Sequence, residues 1–403
     1  MIIGIVGAGA SGMAAALAAS EQDHVQVILM ERQARVGRKL AATGNGRCNL
    51  TNLHANAGGY HGTEPDFWTP ALNRFDVQDT LNWFRSLGLY TVAEASGRVY
   101  PYSDQANSVV DVLRFALAKP NIQLLTGFEV KKVKKVEGGF SVESADETIF
   151  CHRLIIACGG LAGTKLGGSM SGYQLLRSLG HKCTKLRPAL VQMKSSWDGC
   201  GSLKGVRANC HVQILRDGQI YSQSRGELQF TDYGLSGPVI FEVSRDVCQG
   251  SGRWIAKLDF LPQTERDTLR TELLRRRETN WNAEDLLTGI LHNRLGRVLT
   301  QSVGIRGTWK IADLREDEID AVCSAVKGFE AALTETMGME SAQVTAGGIC
   351  TSEFHPDTLE SRLMPGLFAC GEVLDIDGAC GGYNLQWAWS SGRLAGFHAG
   401  GNT

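Results

Sequence analysis

Residues 2–12 read Ile2-Ile3-Gly4-Ile5-Val6-Gly7-Ala8-Gly9-Ala10-Ser11-Gly12. The first five form a short apolar run, as expected of a strand buried on both faces. The glycines then fit G-x-G-x-x-G, and Met13 to Ser20 is small and helix-favouring. Val25 to Met30 reads as a second strand ending in Glu31. Each position has a physical task. Gly7 permits the tight turn, Gly9 lets the backbone approach a pyrophosphate, and Gly12 lets helix and strand pack closely. Ala10 and Ser11 begin the helix, whose unpaired N–H groups and positive dipole end suit phosphates. Glu31, 24 residues after Gly7, stands where an acid accepts hydrogen bonds from ribose hydroxyls. A lone glycine fingerprint is weak. The strand before it, the helix after it and the acid beyond favour dinucleotide binding over an ordinary glycine turn.

Further glycine clusters separate FAD from NAD. Leu154-Ile155-Ile156-Ala157-Cys158-Gly159-Gly160 is an apolar strand ending in small residues, and Gly366-Leu367-Phe368-Ala369-Cys370-Gly371-Glu372 is another ending in an acid. Gly381-Gly382-Tyr383-Asn384 then opens a helix expected over residues 385–396. A FAD site needs an acid facing ribitol hydroxyls and N–H donors at the flavin pyrimidine edge. Glu372 and the backbone of Asn384 and Leu385 can supply them. There is no second strand–glycine turn–helix unit for a nicotinamide cofactor, so NAD(P)H enters only as a candidate electron donor at the flavin pocket.

The loop after Glu31 contains KLAATGNGRCNLTN, Lys39 to Asn52. It includes the sequon Asn49-Leu50-Thr51, and Cys48 offers a thiol. Gly37, Arg38 and Lys39 can reach a pyrophosphate, while Thr43, Gly44, Asn45 and Gly46 provide close-approach backbone and short polar groups. We read the stretch as a second cradle for the cofactor. The alternatives are a glycan acceptor, a reactive cysteine and a plain surface loop.

The composition is that of an ordinary globular chain: 403 residues, net charge -1, 43% hydrophobic and 21% charged. That balance excludes a global field for DNA or for an anionic membrane. No window reaches the roughly 18 apolar residues of a membrane span, and no signal-peptide pattern opens the chain. The 11 cysteines are scattered without a C-x-x-C pair, which argues against a disulfide scaffold or zinc site and for the reducing cytoplasm. Lysines at 131, 132, 134 and 135 alternate with valines from Val130 to Val136, the pattern of a solvated antiparallel meander.

Seven segments now carry a resemblance. They are GAGASGMAAA, GRKLAATGNGRCNLTN, GRVYPYSDQANSVVDVL, IIACGG with LGGSMSGYQLLRSLGH, GELQFTDYGLSGPVIFEVSR, VTAGGI and GLFACGEVLDIDGACGGYNLQWAWSSGRLAG, in this order between residues 4 and 396. The chain resembles the bacterial BaiN/RdsA-type flavoproteins, also described as aminoacetone-oxidase-like FAD-binding enzymes. The resemblance implies one non-covalent FAD on a discontinuous Rossmann-like domain of the fumarate-reductase-like type, with inserted domains. This chain departs from many members in carrying no acid in Gly168-Ser169-Met170-Ser171-Gly172. Family members are connected to enone reduction, to dihydrouridine formation in ribosomal RNA, and to aminoacetone oxidation with peroxide release. The first two share hydride addition to an activated C=C bond, so a C=C reductase with a small-molecule substrate is the favoured reading. A ribosomal-RNA modifier, an amine oxidase and a non-enzymatic flavin-binding module are the alternatives.

The expected cofactor contacts follow from these motifs. They are Gly7, Gly9, Ala10, Ser11, Gly12, Glu31 and Arg32 around the first turn, then Gly37 to Lys39, Thr43 to Gly46, Cys48 and Asn49 along the loop. Val130, Ala157, Cys158, Gly159 and Gly160 follow. Gly371, Glu372, Gly382, Tyr383, Asn384 and Leu385 complete the set. Catalytic candidates are Arg47, Tyr383, Tyr100, Cys48 and Cys380, with packing as the competing reading for each thiol.

The fold class is α/β with α+β inserts. The FAD-binding domain is expected at residues 1–188 and 343–403. Residues 189–262 read as a β-barrel or sandwich, with Asp217-Gly218 as a hairpin turn after His211 to Leu215. Residues 263–342 read as helical, with Leu269, Leu273 and Leu274 on one face and Leu286, Leu287, Ile290 and Leu291 on another. Residues 266–277 hold five arginines against Asp267 and Glu272, either a solvated helix face or a docking surface for RNA phosphates.

Overall fold

The computed structural model describes every residue except 246, 248, 250, 402 and 403. The expected ranges 189–262 and 343–403 include these positions, which lie outside the described residues. The chain divides into two compact units, Met1–Pro188 with Gln343–Thr403, and Ala189–Ala342.

The first unit is built on a parallel sheet of five strands. Their order is Leu367–Ala369, Arg153–Ile156, Ile2–Val6, Gln26–Glu31 and Ile122–Thr126. Ile2–Val6 is central, and its Ile3 and Ile5 are fully buried, which is why the run is continuously apolar. Val6 pairs with Met30 on one side and Ile156 on the other, so the strands end together at Gly7, Glu31 and Ala157.

Helix Ala10–Ala19 packs on the C-terminal helix Tyr383–Gly400. Small residues allow the approach: a Cβ on Gly392 would lie 2.3 Å from the Ser11 carbonyl oxygen, and one on Gly396 2.2 Å from that of Ala15. The C-terminal helix begins earlier and ends later than residues 385–396. Its start is set by Gly382 in the left-handed region, φ 106°, a backbone feature that side-chain pattern does not report. Smaller sheets complete the unit, two of them three-stranded. Lys132–Val136, Gly139–Glu143 and Thr148–Cys151 form the antiparallel meander, with Lys132 and Lys134 exposed on one face and Lys135 on the other, over the Phe140 ring. Thr51–Asn52, Arg98–Pro101 and Thr91–Ala93 form the other.

The second unit holds a closed six-stranded barrel. Its strands, in barrel order, are Met193–Ser195, Gly234–Ser236, Gln219–Phe230, Arg207–Arg216, Trp254–Asp259 and Phe329–Thr336. Asp217 and Gly218 turn between two of them with φ 50° and 84°, as an Asp-Gly hairpin requires. The closing strand Phe329–Thr336 comes from the stretch read as helical. Helices Arg266–Arg275, Asn293–Ser302 and Glu316–Gly328 share one hydrophobic cluster with the barrel.

One expectation changes here, and the arginine cluster agrees with the solvated helix face. Leu286 and Leu287 are buried, but they lie beyond a single 3₁₀ turn, Ala283–Asp285, not on a helix face. Gly289 at φ 80° ends any helical continuation. The arginine cluster is largely neutralised by acids: Arg270 meets Asp320 at 2.8 Å and Glu316 at 2.6 Å, while Arg275 and Arg276 meet Glu272 at 3.0 and 3.1 Å. Among the described residues no helix is long and apolar enough to cross a membrane.

Candidate cofactor and active site

The glycine turn separates its three tasks in space. Gly7 has φ 104°, and a Cβ there would lie 2.6 Å from the Ala157 carbonyl oxygen. A Cβ on Gly12 would lie 1.8 Å from the Gly7 carbonyl oxygen. These two glycines serve packing. Gly9, between them, has nothing within 4 Å of its Cβ position, although it caps a helix whose next residues are mostly buried. Glu31 fastens the turn: its carboxylate accepts from Ala8 N–H at 2.8 Å and Gln33 N–H at 2.9 Å. Arg32 donates to the Gly167 carbonyl. Val130 is buried just beyond the strand Ile122–Thr126, where Phe128 N–H donates to the Glu31 carbonyl at 2.9 Å.

The second cradle is locally strained. Gly37 has φ 67°, and its N–H donates to the Ala8 carbonyl at 3.0 Å, tying the loop to the first turn. Helix Arg38–Ala42 follows, and Thr43 Oγ1 donates to the Leu40 carbonyl at 2.7 Å. Gly44, Asn45, Gly46 and Cys48 then take φ 58°, 56°, 85° and 61°. Two of the four are not glycine, and such strain clusters at ligand clamps. The loop folds back because Cys48 N–H donates to the Thr43 carbonyl at 2.9 Å. Asn49 Oδ1 is buried without a hydrogen-bond partner. Cys48 itself is fully buried, and burial pushes its thiol up to about 12. Burial and the raised thiol favour packing over a reactive-thiol role.

The third side comes from the neighbouring strand ends. Cys158 is also held up at about 12 by burial, and Gly159, at φ 70°, is open to 4 Å. Gly160 lies tight against Glu372: a Cβ there would meet Glu372 Oε1 at 2.5 Å. Glu372 Oε2 pairs with Lys39 Nζ at 2.8 Å, and Oε1 accepts from Thr345 N–H at 2.9 Å. Arg38 donates to Gln33 at 3.1 Å. Gly371, φ 74°, closes on the first helix, where its Cβ would meet Ser11 Oγ at 2.4 Å. The Ser169 and Ser171 hydroxyls hydrogen-bond each other at 2.8 Å.

The remaining candidates gather at the C-terminal helix. Tyr383 donates its hydroxyl to the His54 carbonyl at 3.0 Å, and Tyr60 donates to the Tyr383 carbonyl at 3.0 Å. The Asn384 amide is used on Gly378, accepting from its N–H and donating to its carbonyl, both at 2.8 Å. Leu385 follows in the first helical turn. Cys380 lies half-buried in the preceding turn. Arg47 binds Asp104 and, at 3.2 Å, Glu94, with its guanidinium 4.0 Å above the Tyr100 ring.

Several residues that hold this arrangement carry no local motif. Thr345 Oγ1 accepts from Leu161 and Ala162 N–H, each at 2.9 Å. The fully buried Gln386 links Thr51 at 2.6 Å to Thr80 at 2.9 Å. Trp389 donates to the Leu50 carbonyl at 2.9 Å.

The open Gly9 at a helix N-terminus, the unpaired Asn49 oxygen and the three converging loops fit a dinucleotide. With the five-stranded parallel sheet and the relatives of this chain, the class is that of an FAD-dependent oxidoreductase. The chain belongs to the HI0933-like Rossmann-domain family, whose model matches residues 1–398. It is 40% identical over 400 residues to the 3-dehydro-bile acid delta(4,6)-reductase of Clostridium scindens, covering 98% of each chain. It is 33% identical over 390 residues to the ribosomal RNA dihydrouridine synthase of Escherichia coli, covering 96% of this chain and 95% of that one. Among solved structures it resembles the open conformation of a flavocytochrome c3 fumarate reductase, with TM-score 0.50 and 16% identity. That likeness spans 99% of this chain and 78% of the other, and is one of fold.

Proposed function

We propose that the protein holds one FAD non-covalently and adds a hydride to a C=C bond conjugated with a carbonyl. The observation that carries the cofactor assignment is the contrast at the first turn. Gly7 and Gly12 are closed by neighbouring backbone, while Gly9 opens to 4 Å of free space at a helix N-terminus. Gly9, Ala10 and Ser11 would face the pyrophosphate, and Asn49 Oδ1 would receive a donor from the bound group. When bound, FAD supplies hydride chemistry. The residues would hold it, exclude water and donate to the substrate.

The substrate class rests on the relatives. A 3-dehydro-bile acid with delta(4,6) unsaturation and a uridine ring share a C=C bond conjugated to a carbonyl. A small enone is the favoured substrate. Ribosomal RNA is the second reading, supported by the 33% identical relative and weakened by the acids that pair with the arginine helix. NAD(P)H is the proposed donor, acting at the flavin pocket, and the cytoplasm the proposed compartment.

The test is anaerobic. Purified holoprotein is photoreduced and mixed with a 4-en-3-one steroid, with a uridine-containing ribosomal RNA fragment, or with aminoacetone. Flavin reoxidation by the enone supports the proposal. Reoxidation by RNA alone moves the assignment to RNA modification. Reduction of oxidised flavin by aminoacetone, with peroxide in air, replaces it with an amine oxidase. Protein that stays colourless when FAD is supplied removes the cofactor assignment.

A further inference from the structure

Arg98 and Tyr100 alternate with Val99 on the strand Arg98–Pro101, so both side chains lie on one face of it. Val99, on the other face, is buried. The Arg98–Tyr100 face looks onto parts of the candidate active site. A Cβ on Gly44 of the strained loop would lie 3.4 Å from the Tyr100 ring. A Cβ on Gly381, in the turn before the C-terminal helix, would lie 2.8 Å from Arg98 Nε. The same turn is fastened to the neighbouring strand by Asn52 Nδ2, which donates to the Gly381 carbonyl at 2.8 Å.

The two arginines near Tyr100 are treated differently. Arg47 is engaged by Asp104 and Glu94 while its guanidinium covers the ring. Its charge is offset, and it serves to hold the ring. Arg98 is half-buried, yet it has no hydrogen bond or ion pair to another described side chain. Tyr100 is 6% exposed, and its hydroxyl has no hydrogen bond to another described residue. Neither the Arg98 guanidinium nor the Tyr100 hydroxyl is among the fully buried polar groups, so both keep donors open to water or a ligand where two loops of the candidate site meet.

We propose that Arg98 and Tyr100 form a two-donor site for the carbonyl oxygen of the conjugated substrate. This rests on the reading of hydride addition to a carbonyl-conjugated C=C bond. As a new C–H bond forms at the β-carbon, the C=C electron pair shifts and negative charge gathers on the carbonyl oxygen. Arg98 and the Tyr100 hydroxyl donate to that oxygen. Water then protonates the α-carbon and the carbonyl re-forms, so the substrate gains one hydride and one proton. Burial pushes the Tyr100 phenol up, opposed by Arg98 and Arg47, so it remains a donor at neutral pH. Arg98 is the charge-matching partner and Tyr100 the neutral one, the arrangement that stabilises an oxyanion.

The test uses FAD-loaded protein and para-nitrophenol, whose anion mimics an enolate oxygen, with the visible flavin spectrum as readout under mildly alkaline conditions. Wild type is expected to bind the anion. R98Q should weaken it roughly tenfold or more, the loss of a charged hydrogen bond, and R98K should recover most of it. Y100F should weaken it less, and binding of neutral benzyl alcohol should change in none of them. Enone reoxidation rates should fall in the same order. R98Q and Y100F that carry full FAD and bind the anion within about twofold of wild type would overturn the site. So would R98Q that loses FAD, which would assign Arg98 to the cofactor. Failure of the C=C reading is separate: anion binding would follow the variants while no enone reoxidises the flavin.

Discussion

Replacing Gly9 by valine tests the cofactor cradle most directly. The Gly9 backbone has φ -80° and ψ -167°, a conformation any residue adopts, and its Cβ direction is empty to 4 Å. The substitution therefore costs the fold little, within about 0.5 kcal/mol for a site that touches nothing. It fills the space through which a pyrophosphate reaches the helix N-terminus. Displacing two charge-assisted hydrogen bonds forfeits about 3–6 kcal/mol, or roughly 10²–10⁴-fold in Kd. Gly12→Ala is the matched control. Its Cβ would lie 1.8 Å from the Gly7 carbonyl oxygen, so helix and strand must separate. Overpacking of that kind costs about 1–3 kcal/mol or more, and here it strikes stability before binding. The assays are calorimetric FAD titration of apoprotein and cofactor-free thermal unfolding. Gly9→Val should keep the unfolding midpoint and lose FAD, while Gly12→Ala should lower the midpoint. Wild-type FAD affinity in Gly9→Val would refute the reasoning.

Three further outcomes follow from burial. Cys48, fully buried with its thiol held at about 12, should resist alkylation of native protein near neutral pH; peptide mapping that finds Cys48 modified before unfolding would overturn its packing role. Cys48, Cys151, Cys158 and Cys370 all have thiols raised from 9.0 to about 12 by burial. The folded state holds these protons more tightly than the unfolded chain, so stability is full below about pH 9 and falls toward about pH 12. The loss is on the order of 1 kcal/mol per thiol at about pH 10, measurable as a lower urea midpoint there than at about pH 8; Cys370→Ala should flatten that slope, and an unchanged slope would count against it. Trp389→Phe removes the donor to the Leu50 carbonyl in a fully buried site. It should cost about 1–3 kcal/mol in urea unfolding, and a loss under about 0.5 kcal/mol would show that the carbonyl finds another partner.

Local pattern decided a large part of this protein. The run Ile2–Val6, the spacing of Gly7, Gly9 and Gly12, and the placement of Glu31 depend on contacts within one strand–turn–helix unit. That is why residue order alone revealed the dinucleotide fold. The Asp217-Gly218 hairpin is equally local, since two left-handed residues match the twist of the paired strands. The barrel's closure was not legible, because Phe329–Thr336 follows a helix and pairs both with Trp254–Asp259 and with Met193–Ser195, the latter more than a hundred residues earlier. The helix expected through Leu286–Leu291 failed for a local reason, a left-handed Gly289 within an apolar pattern.

The candidate site divides along the same line. The proposed cradles follow from glycines whose backbone freedom is visible in any sequence, while the burial of Cys48, which favours packing over a reactive thiol, is not. What only tertiary structure decided is which side chains are already engaged. Glu31 holds Ala8 N–H, Lys39 pairs with Glu372 across 333 positions, and Gln386 joins Thr51 to Thr80. Arg47 is satisfied by two acids while Arg98, two residues from Tyr100, is not. Sequence lists the charges; which of them is left for a ligand depends on distances between segments far apart in the chain, and Coulomb and hydrogen-bond energies follow those distances.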